Sequence, residues 1–255
     1  MPLLRTLAVN LCFYLFTTVL AVGGLPLLAS RDGVLRLARF WGRGTLWLLR
    51  VVGGLRVEFR GLENIPPGAV IVAAKHQSAL ETLALCTVFP RFAYILKREL
   101  LFIPLIGWYL SRAGMVAIDR TKGSRAMALM NEAAARAIGE GRQLIIFPEG
   151  TRRAPGAPPA YKLGLTHLYA NLGVPCLPVA LNSGLYWPRQ SLTRRQGTTV
   201  IAFLPPIPPG LDRTAFLDRI TQTIEGASDA LLAEGRADLA ASGQSAPKEA
   251  DRPAA

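Results

Sequence analysis

Histidine is nearly missing from this chain: His76 and His167 are the two imidazoles in 255 residues. Cysteine is almost as scarce. Cys12, Cys86 and Cys176 are odd in number, sit in apolar surroundings and show neither paired nor metal-ligand spacing. That excludes a disulfide framework and reads as buried thiols in a reducing compartment. No glycine pattern fits a phosphate-binding P-loop or a dinucleotide fingerprint, and no acid–histidine cluster has metal spacing. The expectation is a site with no metal and no cofactor. Internal repeats are also lacking. Acidic residues are too few to balance the basic ones, 17 against 29, for a formal net charge of +12. Such an excess implies an anionic partner. A nucleic-acid groove would interleave aromatics among its cations, whereas the aromatics here lie mainly in apolar runs. With 51% hydrophobic residues, the composition points to an anionic membrane surface and away from nucleic acid.

What is present begins with an apolar stretch. Leu7 to Leu28 carries no charge and has about the 20 apolar residues that a bilayer crossing needs. Asn10, Thr17 and Thr18 weaken it, and Gly23-Gly24-Leu25-Pro26 would bend or end its helix. A signal peptide is the alternative, against which stand a single Arg5 and the want of a small-residue cleavage site. From Val34 to Val52, Leu, Trp and Phe alternate with Arg36, Arg39, Arg43 and Arg50. A basic, Trp-bearing helix of this kind suits the membrane interface, although a core helix with solvated arginines would show the same letters. The arginines after residue 30 outnumber Arg5, which places the chain beyond that point on the cytoplasmic side. Residues 1–52 are therefore expected to be membrane-associated helices, 53–235 a globular domain and 236–255 a disordered, Ala/Ser/Pro-rich tail.

Within the domain, Leu55, Val57 and Phe59 alternate with Arg56, Glu58 and Arg60 as in a half-exposed strand. Strands are expected at 69–74, 92–96, 115–118, 144–147, 176–181 and 200–204, with helices at 79–88, 100–112, 124–138 and 162–172. The helix at 100–112 could break at Pro104 or Gly107. A last helix steps through Leu217, Ile220, Ile224 and Leu231. Strands alternating with helices give an α/β fold with a mostly parallel sheet flanked by helices.

His76 leaves the strand at 69–74, and Glu81 stands five residues on, at the start of the next helix. One reading is a base and the carboxylate that orients it. The other is a capping box, Ser78-x-x-Glu81, in which both side chains serve helix-end amides. On a regular helix, residues five apart diverge by about 140°, so the two can meet only if His76 folds back from the turn. Other strand ends add cations: Lys97-Arg98, Asp119-Arg120 and Pro148-Glu149-Gly150-Thr151-Arg152. Ligands in such sheets bind beyond the carboxyl ends of the strands, and cations with helix-start amides there favour an anion.

These residues resemble a known family, the bacterial 1-acylglycerol-3-phosphate (lysophosphatidate) acyltransferases. His76-x4-Glu81 is similar to the family's His-x4-Asp motif, with Glu in place of Asp, and Phe147-Pro148-Glu149-Gly150-Thr151-Arg152 to its Glu-Gly-Thr-Arg block. Lys97-x2-Leu100-x6-Gly107-x12-Arg120 fits its spaced basic motif. Tyr161-Lys162-Leu163-Gly164 and Val174-Pro175-Cys176-Leu177-Pro178-Val179 resemble two further elements, and all five stand in family order over roughly residues 55–205. The resemblance implies acyl transfer from a thioester of acyl carrier protein or coenzyme A to lysophosphatidate, at the cytoplasmic face of the inner membrane. His76 would be the general base and Glu81 its orienting carboxylate. Lys97, Arg120 and Arg152 would bind the acceptor phosphate, while Glu149, Gly150 and Thr151 would shape the phosphate loop. Two alternatives stay open: another lysolipid acceptor such as a lyso-ornithine lipid, and a non-catalytic basic membrane protein.

Overall fold

A computed structural model describes residues 3–119, 123–189, 191 and 194–247. Two antiparallel helices open the chain, α1 (Leu3–Gly23) and α2 (Arg31–Val51), joined by a 3-10 turn over Leu25–Ala29. Ser30 caps α2 by accepting from the Gly33 amide. Seven strands come next: β1 (Leu55–Arg60), β2 (Val70–Ala74), β3 (Phe92–Lys97), β4 (Val116–Ile118), β5 (Gln143–Ile146), β6 (Cys176–Leu181) and β7 (Gly197–Phe203). The intervening helices are α3 (Leu80–Val88), α4 (Ile106–Arg112), α5 (Gly123–Gly139), α6 (Gly164–Leu172) and a short α7 (Ser183–Tyr186). The long α8 (Arg213–Ala241) comes last.

One sheet holds all seven strands in the order β1-β7-β6-β2-β5-β3-β4. Every neighbouring pair is parallel except β6 and β7. That single reversal turns β7 and β1 against the rest. The amino end of β1 therefore lies at the edge where β2, β3, β5 and β6 finish. Buried parallel strands read as continuous apolar runs because both faces are covered. All of Val70–Ala74 is buried, and its side chains alternate. Val70, Val72 and Ala74 pack with Val34 and Leu35 of α2 and with Leu85 and Phe89 at α3. Ile71 and Ala73 pack on the other face with Ala134 of α5, Leu165 of α6 and Ile220 of α8. Each large apolar side chain so buried contributes roughly 1.5–3 kcal/mol before chain entropy is counted.

Three expectations are refined. The helix expected over 100–112, with a break allowed at Pro104 or Gly107, is broken around Pro104 into a 3-10 turn (Arg98–Phe102) and α4. Gly107 comes so close to the chain before it that a Cβ there would lie 1.9 Å from the Leu101 carbonyl oxygen. The tail anticipated from residue 236 continues α8 through Ala241, and Leu239 is fully buried. Of the three thiols, Cys86 and Cys176 are buried and Cys12 is only half-buried; burial pushes the Cys86 thiol up to about 12.

Both N-terminal helices have two faces. On α1, Val9 joins a buried cluster with Leu49 and Leu185, Thr17 accepts from the Trp41 indole, and the Ala21 carbonyl accepts from Tyr109. Its opposite side exposes Leu4, Leu7, Leu11, Tyr14, Leu15 and Val22. Leu4–Gly23 is long and apolar enough to cross a bilayer. The outer side of α2 exposes Arg36, Phe40, Arg43, Trp47 and Arg50, at steps of four and three that form one stripe.

Candidate active site

Beyond the end of β2 the alternation of side chains persists, and it assigns Lys75 and His76 to opposite faces of the sheet. His76 turns to the α3 side. Its ring stacks on Phe147, with centroids 3.9 Å apart and planes at 17°, and Nδ1 lies 2.8 Å from Glu81 Oε1. The Glu81 side chain is fully buried, while that of His76 keeps 16% of its surface open. A carboxylate only accepts, so Nδ1 carries the proton and the lone pair sits on Nε2.

Glu81 orients the imidazole and also ties down the turn that precedes α3. Its Oε1 accepts from the amides of Gln77 at 2.8 Å and Ser78 at 2.7 Å as well as from His76. The carboxylate that ties down the turn before α3 is thus the one that orients the imidazole. Ser78 plays a smaller part than a capping box would give it. Ala79 is the cap residue, and the Ser78 hydroxyl accepts from Leu80 at 3.2 Å. The remaining oxygen, Glu81 Oε2, accepts from the Ser183 hydroxyl at 2.7 Å. Ser183 lies just past the carboxyl end of β6, the neighbour of β2. Nothing in the linear motif announced it, although a polar residue at that strand end was the available signal.

On the opposite face Lys75 meets two carboxylates, Glu149 Oε1 at 3.1 Å and both oxygens of Glu225 at 2.7 Å. Burial, partly offset by the Lys75 charge, raises Glu149 above the ordinary carboxylate range. The loop that carries Glu149 is stitched to the His76 turn. Arg153 N donates to the His76 carbonyl at 2.8 Å, and Lys162 N to the Pro148 carbonyl at 2.9 Å. Gly150 sits at φ 64, a left-handed conformation that suits glycine in this turn.

Lys97 ends β3 and Arg152 lies beyond β5, its neighbour in the sheet, so both stand at the same edge as His76. Both are exposed, and among the described residues neither side chain has an acidic partner. Arg98, by contrast, is engaged by Asp119 at 3.0 Å. Arg120, the third expected phosphate ligand, lies outside the described residues. Among the described residues no three His, Cys, Asp or Glu side chains gather as metal ligands do. The edge thus presents an oriented base, two uncommitted cations and a glycine turn, an arrangement able to deprotonate a hydroxyl beside a bound anion.

Comparison with known proteins gives the arrangement its family. A family model described as Acyltransferase matches residues 56–182. The 1-acyl-sn-glycerol-3-phosphate acyltransferase of Pseudomonas aeruginosa is 38% identical over 180 residues, which span 71% of this chain and 70% of that protein. The human alpha enzyme of the same name is 31% identical over 195 residues, spanning 74% of this chain and 69% of that one. In three dimensions the chain is similar to the crystal structure of the lysophosphatidate acyltransferase PlsC from Thermotoga maritima. The TM-score is 0.76 at 26% identity, with 91% of this chain and 98% of that chain covered. With a sheet of the same form, a His–carboxylate pair at its centre and relatives matched over more than two thirds of their length, the chain belongs to the 1-acyl-sn-glycerol-3-phosphate acyltransferase family.

Proposed function

We propose that this enzyme moves a fatty acyl chain from a thioester to the sn-2 hydroxyl of 1-acyl-sn-glycerol-3-phosphate, giving phosphatidate, with His76 as the general base. The observation that carries the assignment is the 2.8 Å contact between Nδ1 and Glu81, which leaves Nε2 free at the centre of the sheet edge. Nε2 takes the hydroxyl proton as the acceptor oxygen attacks the thioester carbonyl. The tetrahedral intermediate collapses, the C–S bond breaks, and the imidazolium returns its proton to the departing sulfur. Glu81 holds the tautomer and stabilises the imidazolium between the two proton transfers. No acyl-enzyme forms. Lys97, Arg120 and Arg152 receive the acceptor phosphate through charge-assisted hydrogen bonds, while Gly150 and Thr151 shape the turn that presents Arg152. The uncommitted state of Lys97 and Arg152 favours a phosphate-bearing acceptor over a lyso-ornithine lipid.

The apolar outer side of α1 and the Arg–aromatic stripe of α2 attach the enzyme to the anionic cytoplasmic face of the inner membrane. Contacts at Val9, Thr17 and Ala21 hold α1 along the domain. The helix thus lies against one membrane face instead of standing upright across it. The test is product analysis with lysophosphatidate, lyso-ornithine lipid and glycerol-3-phosphate, each offered with acyl carrier protein and coenzyme A thioesters. Phosphatidate from lysophosphatidate supports the assignment. Turnover of the ornithine lipid alone sinks it, and salt-sensitive membrane binding without turnover of any acceptor indicates a non-catalytic protein.

A further inference from the structure

The ion cluster around Lys75 is unusual for a protein interior. The Lys75 side chain is 3% exposed and that of Glu149 fully buried, with Glu225 partly open to solvent. One ammonium thus faces two carboxylates, and the Tyr161 hydroxyl donates to Glu225 Oε1 at 2.8 Å. Buried ion pairs roughly break even against apolar side chains of similar size, and a second carboxylate on the same cation adds cost. Stability is therefore a poor reason for the cluster. Its connections suggest a better one. Lys75 is covalently next to His76, and Glu149 Oε2 lies 3.4 Å from the His76 amide nitrogen, a long contact that a small displacement would lose. Tyr161 precedes α6, and Glu225 belongs to α8 on the face away from α3.

We propose that Lys75 and Glu225 are positioning residues for acyl transfer, holding Glu149 against the His76 peptide and keeping the Pro148–Arg152 turn beside the imidazole. The proposal rests on the roles given above to His76 and Arg152. It goes beyond them because Glu225 lies outside the residues 56–182 shared with the acyltransferase family model. The ammonium is what allows the two carboxylates to approach one another. Without it they repel, Glu149 moves off the His76 amide, and the turn carrying Arg152 moves with it. A misplacement of about 1 Å at a reacting group can cost on the order of 100-fold in rate. Removing the Glu225 charge alone leaves Lys75 matched to Glu149, which is a milder change.

The test measures kcat, both KM values and Tm for the full-length enzyme and for Lys75→Met, Glu225→Gln, their double variant and Tyr161→Phe. Lys75→Met is expected to lose about 30- to 100-fold in kcat/KM for lysophosphatidate with the donor KM unchanged, and Glu225→Gln about 3- to 10-fold. The double variant regains activity over Lys75→Met, because a single carboxylate then remains. The deficit of Lys75→Met widens as the pH rises, since burial already raises Glu149 and its deprotonation with no ammonium beside it restores the repulsion. Losses that merely add in the double variant, a pH profile of wild-type shape, or a deficit carried by the donor KM would overturn the proposal. If Lys75→Met does not fold, Glu225→Gln and Tyr161→Phe decide. A selective loss in acceptor kinetics with Tm nearly unchanged supports the proposal, and unaltered kinetics in both overturns it. Failure of the underlying reading looks different: the wild-type enzyme then makes no phosphatidate, and His76→Ala changes nothing.

Discussion

Ser183 reaches Glu81 across 102 residues of chain and donates its hydroxyl to Oε2 at 2.7 Å. The carboxylate that orients His76 is thus itself oriented, from the start of α7 just past the end of β6. A hydrogen bond to a charged group is worth about 1.5–3 kcal/mol. Ser183→Ala should lower kcat by up to roughly 10- to 150-fold while leaving the lysophosphatidate KM close to wild type, because only the imidazole loses its setting. Steady-state kinetics with both substrates varied checks this.

His76→Ala should remove about 10² to 10⁴ of the rate while the protein stays folded and membrane-bound. Activity within a few-fold of wild type, with Tm and vesicle binding unchanged, would take the general-base role away from His76.

Arg152→Ala should raise the cost of binding the acceptor phosphate. One charge-assisted contact of about 1.5–3 kcal/mol corresponds to roughly 10- to 150-fold in kcat/KM for lysophosphatidate. Arg152→Lys should recover part of it, since an ammonium lacks the two-pronged grip of a guanidinium. A change confined to the donor KM would instead assign Arg152 to the thioester.

Membrane attachment divides into two separable contributions. Exchanging Arg36, Arg43 and Arg50 for Gln should weaken binding to anionic vesicles by roughly 100-fold, at about 1 kcal/mol per cation, and leave neutral vesicles little affected. Leu11→Glu with Leu15→Glu, both on the exposed side of α1, should weaken binding to either kind. Point variants are the right tool, because deleting residues 1–52 would also strip Val34, Leu35 and Leu49 from the core. Undiminished sedimentation with both vesicle types would shift the anchor to the exposed Phe102, Ile103 and Trp108.

Gly107→Ala should cost on the order of 1–3 kcal/mol of stability, since its Cβ would strike the Leu101 carbonyl at 1.9 Å. Thermal unfolding measures it, and a Tm equal to wild type would mean the turn opens without strain.

The sheet was legible because its central strands are covered on both faces. Val70–Ala74 and Cys176–Leu181 are unbroken buried runs that local composition suffices to find. The His76–Glu81 pair was legible because both partners fall within one turn. Lys75, Ser183 and Glu225 escaped notice because their partners lie 74 to 150 residues away, a separation that no linear motif spans. Alternation carried one step past Ala74 would still have sent Lys75 to the face opposite His76. The extension of α8 was hidden by its Ala- and Gly-rich composition, although Leu231 and Leu239 keep a spacing that places both on one side. The reversal at β7 left no trace in the letters, since a strand's direction depends on what it pairs with.

That reversal has a mechanical effect on catalysis. Because β1 runs against β2, the chain leaves the N-terminal helices and enters the sheet at the edge that carries His76, with only Val52–Gly54 between α2 and Leu55. The stem joining anchor to domain is therefore too short to act as a leash. With the membrane attachment proposed above, the height of the imidazole over the lipid would be set by the fold, and an acceptor lipid would need to rise only that fixed distance to be acylated.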